Sequence, residues 1–178
     1  MVANQHTEAT LKKLREAGFF LRLLADLSND GLVTREPEAA EFYASAFLSA
    51  ARAVPWALHK ERTAEWNAWI DGWRSRLSDS DREIWKFLVD QRNKVHKEGG
   101  PNITVTARSV LWMFMPELKG TEFARARGIT GLPAGFTKHE KTFTDNPEKS
   151  LAEGCQPIFE LMSRMMEDFE RAHPCPAQ

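Results

Sequence analysis

The segment from Ala39 to Val54 restricts the possible folds of this chain more than any other, because small and apolar residues surround almost its whole circumference at helical spacing. A helix that is apolar on nearly all sides has to be buried by neighbouring elements, and its small residues allow other helices to approach closely. Pro37 suits the first turn of this helix, and Pro55 is expected to kink or end it. The segment therefore predicts a buried helix inside a helical bundle.

Four other segments carry apolar residues at the spacing of one helical face. Their predicted bounds are about Thr7–Asp30, Thr63–Leu77, Asp81–Lys97 and Pro147–Ala172. Thr63 is the expected N-cap of the third helix. The last helix is expected to have Asp145 or Asn146 as its cap and Pro147 in its first turn. Because the connections are short, we predict a mainly α fold, a four- to five-helix up-and-down bundle, and interpret residues 1–178 as a single domain.

Residues 101–146 interrupt the helical pattern before the last helix. Ile103–Thr106 alternates between apolar and polar residues, and Val110–Met115 is apolar and aromatic. These two runs predict one or two short strands that form a small β-hairpin. Residues 116–146 are rich in Gly and Pro and are predicted to form a loop. The whole stretch is interpreted as a strand and loop insertion within the bundle domain.

The charge of the chain is nearly balanced, with 24 basic and 25 acidic residues among 178 and a net charge of -1. The surface as a whole therefore does not attract nucleic acid, and a nucleic-acid site would have to be a local patch. The predicted loop is basic from Lys119 to Lys141, where it either contacts phosphates or is simply solvated.

The two cysteines, Cys155 and Cys175, lack the spacing of a metal site and do not indicate a disulfide framework. The first residues show no signal-peptide pattern, and no apolar run is long enough to cross a bilayer. We therefore expect a cytoplasmic protein without a membrane span, a metal or a cofactor.

The run Arg92-Asn93-Lys94-Val95-His96 near the end of the fourth predicted helix carries the best candidate site. Arg92 and His96 are four positions apart, so they share one helical face. Arginine binds phosphate through several donors, and histidine exchanges a proton near neutral pH, which suits metal-free cleavage of RNA. The same two residues also suit an ordinary helix C-terminus, where positive charge meets the helix dipole. Both interpretations remain open at the level of the sequence.

A long apolar second helix followed by an Arg-Asn-x-x-His element at the end of a later helix resembles the HEPN superfamily, small all-α proteins common in prokaryotic toxin, defence and RNA-processing systems. The resemblance implies a metal-independent endoribonuclease in which Arg92 matches the family's Arg, Asn93 the polar residue after it, and His96 its His. It also implies RNA as the substrate, a homodimer whose two motifs form one cleft, and a cognate antitoxin or other protein as a partner. Family members place four to six residues between Arg and His, whereas this chain has three.

Glu41 and Arg52 form a polar stripe with Ser45 and Ser49 on the otherwise apolar second helix. A charge in such a helix is rarely left without a partner, because burying it alone is costly. One interpretation is that Glu41 or Arg52 joins the cleft of the motif. The other is an internal ion pair that fixes the register of the helix.

Trp66, Trp69 and Trp73 recur at helical spacing on the third helix, which is typical of core or dimer-surface residues and would also suit base stacking. These tryptophans and the apolar last helix support a second class of function, a non-catalytic helical binding or dimerisation module. A third is a small-molecule-binding bundle whose pocket is lined by the polar stripe.

Overall fold

The computed structural model describes residues 7–29, 38–98, 100–101, 103–110 and 136–174. Within these ranges the chain forms five helices and three strands, in the order α1 (Glu8–Asn29), α2 (Ala39–Glu61), α3 (Thr63–Ser75), α4 (Asp79–Glu98), β1 (Ile103–Val110), β2 (Phe136–Phe143), β3 (Asn146–Ser150) and α5 (Leu151–Ala172). The prediction of a mainly α bundle with a small strand insertion before the last helix is confirmed. None of the helices in the described ranges combines the length and the apolar character needed to cross a bilayer.

Helix α2 packs against the other four helices and carries several fully buried side chains, among them Phe47, Leu48 and Val54. Pro55 is buried within α2 and does not end it, because the helix continues to Glu61. A proline removes only its own N–H from the helix, and the packing of α2 on its neighbours supports the turns on both sides of that position. The alternative that Pro55 ends the helix is therefore wrong, and the alternative that it kinks the helix stays a prediction.

The tryptophans of α3 belong to the core. Trp66, Trp69 and Trp73 are all buried, and the rings of Trp69 and Trp73 stack with their centroids 5.5 Å apart. Trp69 also meets Phe169 of α5 edge to face at 5.2 Å, and Trp73 Nε1 donates a hydrogen bond to Asp168. The core interpretation of these residues is confirmed, and their burial leaves no ring face for stacking a base.

Two helix starts differ in detail from the prediction: α3 has a different capping residue, and α4 begins two residues earlier. Thr63 is the first residue of α3 rather than its cap, and its hydroxyl donates to the carbonyl of His59 in the preceding helix. Helix α4 begins at Asp79, and the Ser78 hydroxyl accepts a hydrogen bond from the Asp81 N–H. A serine hydroxyl at this place satisfies one of the free N–H groups of the first turn, which explains the earlier start.

The inserted sheet pairs β1 with β2 and β2 with β3, in both cases antiparallel. Ile103 lies opposite Phe143 and Val110 lies opposite Phe136, so the partner of β1 comes from within the predicted loop 116–146. The loop prediction is wrong over β2, because residues 137–142 are all polar or charged and lack the alternation by which a strand is recognised. Residues 111–115, the rest of the second predicted strand, lie outside the described residues.

Helix α5 begins later than predicted because a capping box sets its start. The Ser150 hydroxyl accepts from the Glu153 N–H, while the Glu153 carboxylate accepts from the Ser150 N–H. These reciprocal hydrogen bonds satisfy free N–H groups at the start of the helix, which begins at Leu151. Asn146 and Pro147 therefore belong to β3. The predicted roles of Pro147 in the first turn and of Asp145 or Asn146 as the cap are therefore wrong.

The sheet packs on the bundle through Phe143, which is fully buried. Its ring meets Phe87 of α4 edge to face at 5.2 Å. A Cβ atom on Gly154 of α5 would lie 3.0 Å from the same ring, so the absence of a side chain there allows the helix to come this close. The sheet is thereby held against α4 and α5.

Candidate functional site

The Arg92–His96 motif lies in the last three turns of α4, as predicted. Arg92 and Asn93 are half-buried; the His96 side chain lies outside what the structure describes. Trp85 precedes Arg92 by seven positions, so the two residues follow one face of α4 two turns apart.

Two contacts with the turn between β2 and β3 hold this end of α4 in place. Gln91 is fully buried, and its Nε2 donates to Asp145 Oδ2 at 2.7 Å. Lys94 Nζ donates to the same oxygen at 2.9 Å. Both residues lie within the turn of α4 that carries Arg92, so the inserted sheet fixes the position of the motif.

Two arginines from two helices lie over the ring of Trp85, and the charge of a third, Arg92, acts on one of them. The guanidinium carbon of Arg52, on α2, lies 5.9 Å from the centroid of the Trp85 ring, and that of Arg74, on α3, lies 5.3 Å from it. Arg92 is near enough to Arg52 for its charge to act on the Arg52 guanidinium. We call Arg52, Arg74 and Arg92, together with Trp85, the arginine cluster.

The positive charge of the arginine cluster is not compensated by a carboxylate in the described part of the chain. Burial, and after it the charges of Arg92 and Arg74, lower the pKa of the Arg52 guanidinium. Elsewhere arginines pair with acids, as in the ion pairs Arg62–Glu65, Arg82–Asp79, Arg164–Asp81 and Arg171–Asp168. A bound anion would compensate the charges of Arg92 and Arg74 that act on Arg52 here.

The structure brings together only some of the residues that the sequence singled out. Arg52 and Arg92 share the arginine cluster, and the interpretation that Arg52 joins a cleft of the motif stays a prediction. Glu41 lies about 16 Å before Arg52 along α2, and its carboxylate accepts from Lys141 Nζ of β2 at 2.9 Å. The nearest described partner of Arg52 is thus an aromatic ring, and that of Glu41 is a lysine of the sheet.

Sequence analysis missed Arg74 and Trp85 as members of the site. The spacing of Trp85 and Arg92 on one helix was a signal that could have linked these two residues. Arg74 carried no such signal, because only the packing of α3 beside α4 brings its guanidinium to the ring.

The side chains of the arginine cluster are chemically suited to binding an anion. The planar fork of a guanidinium group matches the oxygens of phosphate or carboxylate, and stacking on an aromatic ring limits the orientations it can adopt. Among the described side chains, no three of the types His, Cys, Asp and Glu lie together as a metal site would require. Cys155 is buried in the core, and burial raises the pKa of its thiol far above the ordinary value.

Comparison with protein-family models, with curated proteins and with solved structures gave no match.

Proposed function

We propose that this chain is a HEPN-like, RNA-directed protein that binds RNA phosphates through the arginine cluster. In this proposal it cleaves RNA without a metal through Arg92, Asn93 and His96. The single observation that supports it best is that Arg52 and Arg74 both lie over Trp85 while the charge of Arg92 acts on Arg52. A cytoplasmic location and a homodimer are parts of the same proposal.

Electrostatics favours phosphate as the ligand of the arginine cluster. With a net charge of -1, the protein lacks a general attraction for nucleic acid, so binding has to come from a local patch. The arginine cluster is such a patch, since it gathers three guanidinium groups without a described acidic partner. Arginine contacts to phosphate oxygens supply most of the sequence-independent affinity for nucleic acid.

The proposed cleavage uses the 2′-hydroxyl of RNA as its nucleophile. A base removes the proton of that hydroxyl, its oxygen attacks the adjacent phosphorus, and an acid protonates the leaving 5′-oxygen. The products are a 2′,3′-cyclic phosphate and a free 5′-hydroxyl. His96 would act as the base or the acid, and a second protomer would supply the other histidine; Arg92 would stabilise the charge of the phosphorane, and Asn93 would orient the cleft.

Binding is tested with the triple variant Arg52→Gln, Arg74→Gln, Arg92→Gln and a fluorescent single-stranded RNA. We expect the affinity to fall and the slope of log Kd against log salt to lessen by about two to three. The reason is that binding releases fewer counterions when fewer phosphates are contacted. Arg15→Gln, an exposed arginine of α1, is the matched control and should bind as wild type does. An unchanged salt slope in the triple variant would show that the arginine cluster does not contact RNA.

Cleavage is tested separately with a labelled structured RNA in EDTA. Arg92→Ala and His96→Ala should each abolish cleavage, while His96→Ala should still bind RNA and remain folded by circular dichroism. If His96→Ala cleaves as well as wild type, the catalytic part of the proposal is lost and RNA binding alone survives. The toxin or defence role and the antitoxin partner depend on this cleavage.

The competing proposal is a non-catalytic helical binding or dimerisation module, favoured by the exposed Phe42 and Trp56 of α2. It predicts that no RNA is cleaved by well-folded wild-type protein. The small-molecule interpretation is less favoured, because Ser49 of the polar stripe is exposed on the outside of the bundle rather than lining an internal pocket.

A further inference from the structure

The outer face of α2 carries large apolar side chains that the described part of the monomer leaves exposed to solvent. Phe42 and Trp56 are each 61% exposed, although the opposite side of the same helix is buried in the core. A helix with apolar residues on nearly all sides is expected to be covered on all sides. The described helices cover one side of α2, and the exposed aromatic residues on its other side are typical of an interface.

The exposed residues of α2 follow one straight line along the helix. Successive members are three or four positions apart, the spacing of a single helical face. The line consists of Glu38, Phe42, Ala46, Ser49, Ala53, Trp56 and Lys60, each of them exposed or half-buried. We call these residues the α2 seam.

The two aromatic residues and the two end charges of the α2 seam lie at equal distances on either side of Ser49. Phe42 and Trp56 lie seven positions before and after Ser49, and Glu38 and Lys60 lie eleven positions before and after it. An acidic residue thus stands at one end, a basic residue at the other, and an aromatic residue inside each of them. A surface that matches itself after a half-turn is what a two-fold symmetric interface requires.

We propose that the α2 seam binds the α2 seam of a second copy of this chain, antiparallel, with the two-fold axis at Ser49. Phe42 of each protomer then meets Trp56 of its partner, about 10 Å to either side of the axis. Glu38 meets Lys60 at both ends. This assignment does not rest on RNA binding or on cleavage, and it names a surface for the homodimer that those proposals leave unspecified.

The sizes of the side chains fit this arrangement. Ala46, Ser49 and Ala53 are small and allow the two helices to approach closely at the axis. Packed helices cross at an angle and therefore diverge away from their closest point, which leaves room for Phe42 against Trp56. Aromatic pairs of this kind contribute strongly to interfaces, because they remove a large apolar area from water.

The charges at the ends determine the relative direction of the two helices. In the antiparallel pairing an exposed glutamate faces an exposed lysine at both ends, whereas a parallel pairing would place like charges together. Lys60 Nζ also lies over the Trp56 ring at 5.1 Å, so this charge is already held at the seam in the monomer.

The first test is the mass of the protein in solution, measured by sedimentation across a concentration series. We expect wild type to dimerise and Ser49→Arg to weaken the dimer about 100-fold, since two arginines would face each other at the axis. Phe19→Asp, which changes an exposed phenylalanine of α1 outside the seam, is the matched control and should dimerise as wild type does. A monomeric wild type at about 100 µM would overturn the proposal, and so would a Ser49→Arg variant that dimerises normally.

A charge exchange tests the antiparallel pairing itself. Glu38→Lys alone and Lys60→Glu alone should each weaken the dimer about three- to tenfold at low salt, because each variant places like charges together at both ends. An equal mixture of the two variants should dimerise as tightly as wild type, because every pair across the interface is then opposite in charge. A misfolded variant would not be rescued by mixing, and a mixture no tighter than the single variants would contradict the pairing.

Cross-linking locates the axis. In a Cys175→Ser background, Ser49→Cys should form a disulfide-linked dimer under mild oxidation, since position 49 meets itself at the axis. Lys60→Cys should not, because the two positions 60 lie about 33 Å apart along the helices. The reverse result would place the interface elsewhere.

Discussion

At the scale of single residues, Asp81 joins two helices through one carboxylate. It accepts hydrogen bonds from Arg164 of α5 and from the hydroxyl of Ser78, which precedes α4. The hydrogen bond from Arg164, and after it that from Ser78, lower the pKa of Asp81 against the opposing effect of burial. The carboxylate therefore stabilises the folded state in its ionised form.

Asp81→Asn should lower the free energy of unfolding at pH 7 by about 1 kcal/mol, since the arginine partner is half-exposed and screened. Because the folded pKa lies below the unfolded one, the contribution of Asp81 is present above the ordinary aspartate range and is lost as the pH falls through the folded pKa. Urea unfolding at a series of pH values should show the two proteins converging below about pH 4. Asp79→Asn, whose carboxylate is almost fully exposed, is the control; an equal loss in both variants would argue against the pairing with Arg164.

The residue scale is also where the candidate site could be predicted only in part. Arg92 and Arg52 stand out in the sequence, one by its motif and the other as a charge in an apolar helix. The approach of Arg52 and Arg74 to Trp85, and of the Arg92 charge to Arg52, depends on how three helices pack, and no pattern within one helix encodes that. The partner of Glu41 could not be predicted from the sequence either, because Lys141 is a hundred positions away on a strand.

At the scale of elements, the starts of helices follow their capping residues more closely than their prolines. The helical face of α5 was evident from its apolar spacing, but Pro147 suggested a start several residues before the true one. The capping box of Ser150 and Glu153 satisfies two free N–H groups at once, whereas a proline only tolerates the first turn. The residues between the suggested start and the true one belong to the short strand β3.

Ser150→Ala should lower the free energy of unfolding by about 1 kcal/mol, the usual value for a lost N-cap. Pro147→Ala should change it by less than about 0.5 kcal/mol, because Pro147 is exposed on β3 and outside the helix. Thermal or urea unfolding of the two variants distinguishes the two starts of α5. A larger loss from Pro147→Ala than from Ser150→Ala would favour the start at Pro147.

At the scale of the whole molecule, the inserted sheet is attached to the bundle at defined points. Asp145 accepts from Gln91 and Lys94 of α4, and Lys141 binds Glu41 of α2. The bundle could be predicted because the sequence of each helix shows an apolar face. The packing of the sheet on the bundle depends instead on contacts between residues more than fifty positions apart. The periodicity of apolar residues predicts individual helices and strands, but it does not predict which of them pack against one another.

Asp145→Ala should loosen this attachment without unfolding the bundle. We expect a loss of about 1–3 kcal/mol, because buried Gln91 loses an acceptor, and faster amide exchange in β2, β3 and the last turns of α4. Glu148→Ala, an exposed residue of β3, is the control and should leave exchange unchanged. Uniformly faster exchange throughout α1 to α3 would show instead that the sheet is needed for the whole fold.

Four indole rings of this fold form a continuous series, and that series gives the protein an optical signature. The ring centroids of Trp66, Trp69, Trp73 and Trp85 follow one another at 6.0, 5.5 and 5.9 Å. Transitions of chromophores this close couple, so near-ultraviolet circular dichroism reports on the packing of α3 against its neighbours. Trp56 stands apart from this series in solvent, and its emission should shift to shorter wavelength when another surface covers it. The chain thus carries separate built-in probes for its core and for its outer face.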